Sequence, residues 1–530
     1  MHALRTQKGH WVRLVAEILI VLCSLGWLAQ AEDKEKEKKS SKPAGGPTAN
    51  RPNVTKPAGP ATGTPGARSE HPANAGIAGR PAPKGSQQTR LQNGSGVQKR
   101  PNGRVSDVHD AKRGMDVHNG LNGSRRVSVE RADHSRIVAE RGRAGYVQRP
   151  FLYHGHEFAR RTYYFNGRAY DRYYRGYSYH GVYLQVYAPF RYYPIGFYGW
   201  AYNPWFAPVV YPWGWAGNPW FGYYGFYFTP YPVYATPALW LTDYMLAADL
   251  TAAYAAQQEI QAQGAAQPAP AGAAALTPEV KQMVADEVRN QIALENAEAQ
   301  QNASNQEIDP ASSSIGRLLG DGHPHVFVAA SALDVVDASG AECAISDGDV
   351  LKLVAPPAPS AAEASLVVLS SKGGLECRKS AVVTVALVDL QDMQNHMRET
   401  IDQGLQELQE KQGKGGLPAA PPSAMAAPVN TAFTQSAPPP DQNAVAEINQ
   451  ELKDADLAEK DVISQAQMES GAAPPTPAAA PKTIALGQSI NEVTAILGPP
   501  VTVVDLGPKQ IYKYKDLKVS FKDGKVFDVE

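Results

Sequence analysis

Three cysteines serve 530 residues, too few for a disulfide-dense scaffold or a multi-cysteine metal centre. Charge is missing entirely from Tyr192 to Thr242. So long an uncharged stretch invites a membrane-spanning reading. Prolines at 194, 204, 208, 212, 219, 230, 232 and 237 exclude it, because proline breaks helices and is kept out of central strands. Reaction signatures are also absent: there is no Gly-x-Ser-x-Gly, no cysteine with a plausible histidine partner, no Ser-x-x-Lys context and no phosphate-cradling glycine loop. A glycosidase needs two carboxylates flanking a cleft, and from Tyr146 to Thr242 the aromatic zone holds only Glu157 and Asp171. A non-enzymatic protein without a cofactor is expected.

What the chain does have is a belt of aromatic rings. Of 46 aromatic residues, 37 lie between Tyr146 and Tyr244. Tyr and Trp offer a flat apolar face with one polar tip, which suits stacking and wet boundaries. Within the belt, Gly199-Trp200-Ala201-Tyr202-Asn203-Pro204-Trp205-Phe206 recurs as Gly214-Trp215-Ala216-Gly217-Asn218-Pro219-Trp220-Phe221. Extended and turn segments held by ring packing are expected here. Trp200, Trp205, Trp215, Trp220, Tyr202, Phe206 and Phe221 are the candidate binding platform, and their exposure decides between platform and core.

Upstream, His154-Gly155, Asn166-Gly167 and His180-Gly181 separate runs rich in Tyr, Phe and Val, the pattern of a small antiparallel meander. Arg160, Arg161, Arg168, Arg172 and Arg175 alternate with tyrosines there. Guanidinium groups over phenol faces either grip an anionic partner or knit the sheet's own surface together.

Charge is segregated along the chain. From Glu32 to Arg191 there are 29 Lys/Arg against 13 Asp/Glu, a net of +16; from Asp243 to Glu530 there are 19 against 38, a net of −19. Either the basic half meets an anionic envelope component, or the two halves attract each other. No nucleic acid is expected as partner. Residues 32–136 are rich in Pro, Gly, Ser, Asn and Lys/Arg and read as a disordered basic tether, with order beginning near Ile137.

Before it, Arg5, Lys8 and Arg13, the apolar stretch Ile18 to Leu28 and Ala29-Gln30-Ala31 have the three-part pattern of a signal peptide over residues 1–31. The apolar run is about half of the ~20 residues a spanning helix needs. Leu22 is too bulky before Cys23 for a good lipid-attachment position. An exported chain, periplasmic or outer-membrane associated, is expected. In that compartment Cys343 and Cys377 are expected to pair, the alternative being two buried thiols.

The rest reads as mixed α/β modules on long linkers: a Tyr/Trp-rich region over 137–236, helices over 237–312, a β-barrel-like unit with a helix over 313–412, a linker with an acidic helix over 413–480, and an α+β domain over 481–530. One helix is expected from Pro237 to Gln263 and another from an N-cap at Thr277, with Val280, Val284, Val288 and Ile292 as one apolar stripe for oligomerisation or for docking on its own chain. Short apolar runs from 323 to 389 suggest a small, partly closed barrel, followed by a helix from Leu390 to Lys411. The pairs His154/His156 and His323/His325 are weighed as metal ligands, but nothing completes either set.

At the end of the chain, Ser489-Ile490-Asn491-Glu492 is a capping box opening a short helix, Leu497-Gly498-Pro499-Pro500 ends it, and four strands follow. Gly487, Ser489, Glu492, Val493, Leu497, Gly498, Pro500, Tyr512, Tyr514, Val519, Phe521, Asp523, Gly524, Lys525 and Val526 give this segment the pattern of the SmpA/OmlA outer-membrane lipoprotein domain, which it resembles. The resemblance implies a small α+β fold and a place in outer-membrane protein assembly. Three functions are therefore expected in competition: an envelope interaction scaffold, a saccharide or peptidoglycan receptor, and an outer-membrane assembly factor.

Overall fold

The computed structural model describes residues 81–530 except 166, 263, 265–270, 470–483, 515–516 and 530. The leader and the tether up to residue 80 lie outside the described residues.

Short strands come first: β1 (Gln87–Arg90), β2 (Gly96–Lys99), β3 (Val105–Asp110), β4 (Met115–Asn119) and β5 (Arg125–Glu130). Then follow β6 (Arg136–Glu140), β7 (Gly145–Tyr153), β8 (His156–Phe165), β9 (Arg168–Tyr179) and β10 (Val182–Tyr187). Each pairs with the next, giving a ten-stranded sheet in chain order. Order therefore begins well before Ile137, and the expectation of a disordered 32–136 fails from Gln87 onward. The turns explain how: Gly94, Gly103, Gly114, Gly123 and Gly142 all adopt positive φ, which glycine does without a Cβ penalty. The register aligns Val97, Val108, Val117, Val127 and Ala139 across β2 to β6. One residue along each strand, it aligns Gln98, Asp107, His118, Arg126 and Glu140. Side chains alternate between faces, so one face of the sheet is apolar and the other charged.

The aromatic belt continues through β11 (Arg191–Tyr192), α1 (Ile195–Tyr202) and α2 (Pro219–Tyr223) into two long helices, α3 (Pro237–Ala262) and α4 (Pro278–Ala303). The Thr277 side chain caps α4 by accepting from the Val280 N–H at 3.4 Å. Val280, Val284, Val288 and Ile292 are buried against the aromatic belt of the same chain, so the stripe docks internally.

After α5 (Ile315–Gly320) come β12 (Val326–Val328), β13 (Leu333–Asp337), β14 (Glu342–Ile345), β15 (Val350–Leu353), β16 (Glu363–Val368) and β17 (Val382–Ala386). They form a sheet in the order β12-β15-β16-β17-β13-β14. It stays open, where a partly closed barrel was expected, because α6 (Leu387–Lys411) covers the apolar face that closure would otherwise bury. Leu387, Leu390 and Met393 of α6 pack on this sheet with Leu184 and Val186 of β10. Met397, Ile401, Leu405 and Leu408, further along α6, pack into the aromatic core. Gly404 lets α3 come close: a Cβ there would fall 2.5 Å from the Leu241 side chain.

Residues 413–443 were expected to be linker. Instead β18 (Val429–Asn430) pairs with β11, and the Thr431 N–H donates to the Phe190 carbonyl at 2.9 Å. The acidic helix α7 (Ala444–Glu469) then lies on the apolar face of the ten-stranded sheet. Ala444, Ile448, Ala455, Ala458, Val462 and Ala466 fill its contact side. Gly145 has no room for a side chain, since a Cβ would meet Ile448 at 3.1 Å. Around this seam run ion pairs: Arg131 with Glu447 (2.6 Å) and Glu451 (3.0 Å), Arg125 with Asp456 (2.7 Å) and Glu459 (3.0 Å), and Arg149 with Asp441 (2.7 Å).

The last residues form α8 (Ile490–Leu497) and β19 (Thr502–Asp505), β20 (Lys509–Lys513), β21 (Lys518–Lys522) and β22 (Lys525–Val529), a four-stranded meander. The capping box of Ser489 and Glu492 is formed. Val493, Val519, Phe521 and Val526 make its core.

The docking of α7 divides into two parts of unequal weight. Partly exposed ion pairs contribute roughly 0–1 kcal/mol each, whereas removing a buried aliphatic side chain costs about 2–5 kcal/mol. Ile448→Ala is therefore expected to expose the α7 amides to hydrogen exchange more than Glu451→Gln does. The reverse ranking would mean that charge, not apolar burial, holds the helix.

Candidate functional site

The repeat that marks the aromatic belt is divided between inside and outside. Trp205 and Trp220, the second indole of each copy, are 6% and 5% exposed. Trp200, Tyr202, Trp215 and Phe221 are half-buried and pack on the same core. Phe206 alone of the seven is fully exposed. Most of the expected platform is thus core. Trp215, Trp213, Trp240 and Tyr244 form one column, with ring centres 4.1 Å, 4.9 Å and 5.5 Å apart in sequence. Trp240 at its middle has no exposure.

Beneath the column lies a buried polar chain. Tyr234 receives the Trp213 indole N–H at 2.5 Å and donates to Asp243 at 2.8 Å. Asp243 is paired with Lys281 at 2.6 Å, and the Lys281 ammonium also donates to the Thr229 carbonyl. Burial pushes the Asp243 carboxyl up and the Lys281 ammonium down, and each resists the other's shift by its opposite charge.

The prolines keep part of the belt outside. The Trp205 N–H donates to the Ala235 carbonyl, and Val209 and Tyr234 exchange backbone hydrogen bonds. One antiparallel bridge, between Val209 and Tyr234, therefore joins segments 205–210 and 233–235 into a short irregular ribbon. Trp205 and Tyr234 point into the core, while Phe206, Val210 and Val233 point out. Pro204, Ala207, Pro208 and Pro232 are exposed beside them. No side chain of the ribbon is charged.

Four of the five arginines expected to meet an anionic partner are engaged within the chain. Arg160 pairs with Asp171 and with the Pro438 carbonyl. Arg161 donates to Gln148 at 2.8 Å and lies over Tyr146 and Tyr174, 4.7 Å and 3.8 Å from their ring centres. Arg172 faces Glu399 at 3.8 Å, and Arg175 pairs with Glu307 at 2.5 Å. Arg168 is exposed at the tip of the β8–β9 hairpin. For Arg172 and Arg175 the acidic half of the chain supplies the anions that an outside partner was expected to supply; Arg160 and Arg161 are held by neighbours in the sheet, Asp171 and Gln148.

That pairing extends over the charged face of the ten-stranded sheet. Arg100 bonds Asp334 at 2.6 Å and Glu342 at 2.8 Å, and Arg143 pairs with Asp347 and, at 2.7 Å, with Glu140. Burial lifts the Glu140 carboxyl above its usual range, against the pull of Arg143 and Arg126. His118 sits between Asp107 (2.7 Å) and Asp334 (3.3 Å). Burial opposes charge on its imidazole, but the bonds to the two carboxylates overcome this and raise its pKa from 6.5 to about 9.

The candidate metal ligands are spread over separate contacts. His154 stacks on Tyr153, with ring centres 4.0 Å apart, and His156 faces Glu307 at 3.2 Å. His325 is bound between Glu287 (2.7 Å) and Asp321 (2.9 Å), while His323 is exposed. Among the described residues no group of three or more His, Cys, Asp or Glu is arranged to hold a metal ion. Cys343 and Cys377 meet with sulfurs 2.07 Å apart, tying β14 to the segment before β17. By chain-entropy arithmetic such a link contributes ~3–4 kcal/mol.

The chain matches no family model, no curated protein and no solved structure.

Two measurements check these placements. Trp205→Ala and Trp220→Ala are each expected to lower unfolding free energy by about 3–5 kcal/mol, and Phe206→Ala by less than ~0.5 kcal/mol. Equal costs in denaturant titrations would put Phe206 in the core. For His118, the charged form is favoured by folding, so its contribution is complete below pH 6.5 and is lost as pH rises through about 9. Stability is expected to fall over that window in the parent chain and to fall less in His118→Gln. Identical slopes would detach His118 from the two carboxylates.

Proposed function

We propose that the protein is a non-catalytic, exported scaffold of the cell envelope, and that its uncharged ribbon seats it at a membrane interface. The observation that carries this reading is the outward set Phe206, Val210 and Val233, flanked by exposed prolines. Large apolar side chains held out to solvent on one short uncharged segment are a mark of an interaction site. A bilayer interface accepts aromatic and aliphatic side chains without requiring charge on the protein. Seating at the interface differs from spanning: among the described residues no helix is long and apolar enough to cross a membrane. The buried indoles behind the ribbon support this reading because they fix its backbone in advance, so insertion orders little that is not already ordered. The basic surface first expected to attract the envelope is largely neutralised inside the chain, so the ribbon replaces it as the contact. The signal-peptide pattern of residues 1–31 supplies the route outward.

Co-sedimentation of the mature chain with vesicles of mixed zwitterionic and anionic lipid tests the proposal. The parent chain is expected to pellet with vesicles and the triple variant Phe206→Ser/Val210→Ser/Val233→Ser to remain in the supernatant with unchanged near-ultraviolet circular dichroism. A parent chain that stays in solution, or a variant that pellets equally, rejects it.

A further inference from the structure

A cavity of about 290 Å³ opens where the β7–β8 hairpin, the end of α4 and the segment after β18 converge. Its apolar wall is made of rings: Tyr153, Phe158, Tyr187, Tyr192 and Phe433. Phe433 stacks on Phe158 with ring centres 4.9 Å apart and meets Tyr173 edge-on at 5.6 Å. The β11–β18 pairing and the Thr431 bond to Phe190 hold Phe433 in place. The lining also includes Asn302, Asn305 and Gln306. Asn305 holds a left-handed backbone conformation, φ 53°, which asparagine tolerates better than most residues.

The ionic groups of the cavity are already paired. Arg175 is bound to Glu307 and to the Ile308 carbonyl. Glu298 is held by Arg398 at 2.8 Å and accepts from the Tyr192 hydroxyl at 3.0 Å. A charged ligand would have to break one of these pairs, and a wholly apolar one would strip water from the lining amides without replacing it. A neutral polyhydroxylated ring fits both halves: its C–H face lies on aromatic rings, and its hydroxyls bond planar amides and carboxylates. The volume lies near the lower end of the ~300–1,000 Å³ of small-molecule sites, room for roughly one or two sugar rings.

We infer that this cavity is a binding site for a neutral saccharide, with Phe433, backed by Phe158, as the stacking face and Asn302, Asn305 and Gln306 as the hydroxyl-reading side. The site shares no residue with the ribbon proposed to meet the membrane, so either assignment stands or falls without the other. It also differs from the indole platform suggested by the repeat, whose second tryptophans are buried.

Saturation-transfer NMR and calorimetry on the mature chain provide the test, with diacetylchitobiose, cellobiose and maltose as probes. At least one disaccharide is expected to bind saturably, with a dissociation constant on the order of 10 μM to 1 mM. Asn305→Gly/Gln306→Ala, in which glycine keeps the positive φ of position 305, is expected to weaken it at least ~10-fold, a loss of about 1.4 kcal/mol. The exposed lining amides can be removed without disturbing the strap, which keeps the test valid if Phe433→Ala misfolds. Phe206→Ser is expected to leave binding unchanged. Failure of all three sugars to bind at ~10 mM, binding that the double variant does not weaken, or an apolar naphthalene dye in the cavity that bound sugar does not displace would each overturn the assignment.

Discussion

A sheet with valines on one face and alternating arginine, histidine and aspartate on the other has to be covered twice, by partners of opposite character. Leaving either face bare, or covering the charged one with apolar side chains, would strand surface in the wrong medium. The chain meets this constraint with segments remote in sequence. The helix Ala444–Glu469 covers the valines, with its acidic flanks turned to Arg125, Arg131 and Arg149. The acids of the second sheet and its loops, including Asp334, Glu342 and Asp347, cover the charged face. The rest of the architecture follows from bringing those segments to the sheet.

The helix Leu387–Lys411 is where the two requirements meet. Its first turns belong to the core of the six-stranded sheet and its later turns to the aromatic core. Between them Arg398, with no exposure, joins Glu298 of a neighbouring helix to the carbonyl of Tyr187. Asn395 bonds both the Gln185 carbonyl and the Tyr187 N–H. Buried polar contacts of this kind add little net stability but tolerate few alternative arrangements. They fix how the last strand of the large sheet, the aromatic belt and the second sheet adjoin. The proposed saccharide cavity and the outward ribbon are both by-products of that fixing: one is the gap left where three elements converge, the other the side of a proline-rich ribbon that found no partner inside.

Much of the local structure was legible. The helix opening at Thr277 and Pro278, the capping box at Ser489, the helix ending at Lys411 and the strands after Pro500 all appear close to their expected bounds, because capping residues, glycine turns and 3.6-residue periodicity act within a few positions. The five strands before Arg136 were missed. None has more than two large apolar residues, low enough to resemble a disordered segment, and only the recurrence of Gly94, Gly103, Gly114 and Gly123 between short alternating runs marked them. That spacing was the available signal. Arg172 and Arg175 illustrate a different limit: the mixing of arginines with tyrosines was readable, while the carboxylates that meet these two lie more than a hundred residues away in Glu399 and Glu307.

By itself the sequence determined the helix caps, the turn positions and the segregation of charge into a basic and an acidic half, since each is a property of neighbouring residues or of composition. Only the tertiary structure decided that the halves neutralise each other, that Trp205 and Trp220 are core while Phe206 is surface, and that the open sheet does not close. Those outcomes depend on which face of one element meets which face of another. Burial is a property of the pair, and a residue's own neighbours along the chain carry no record of the surface that will cover it.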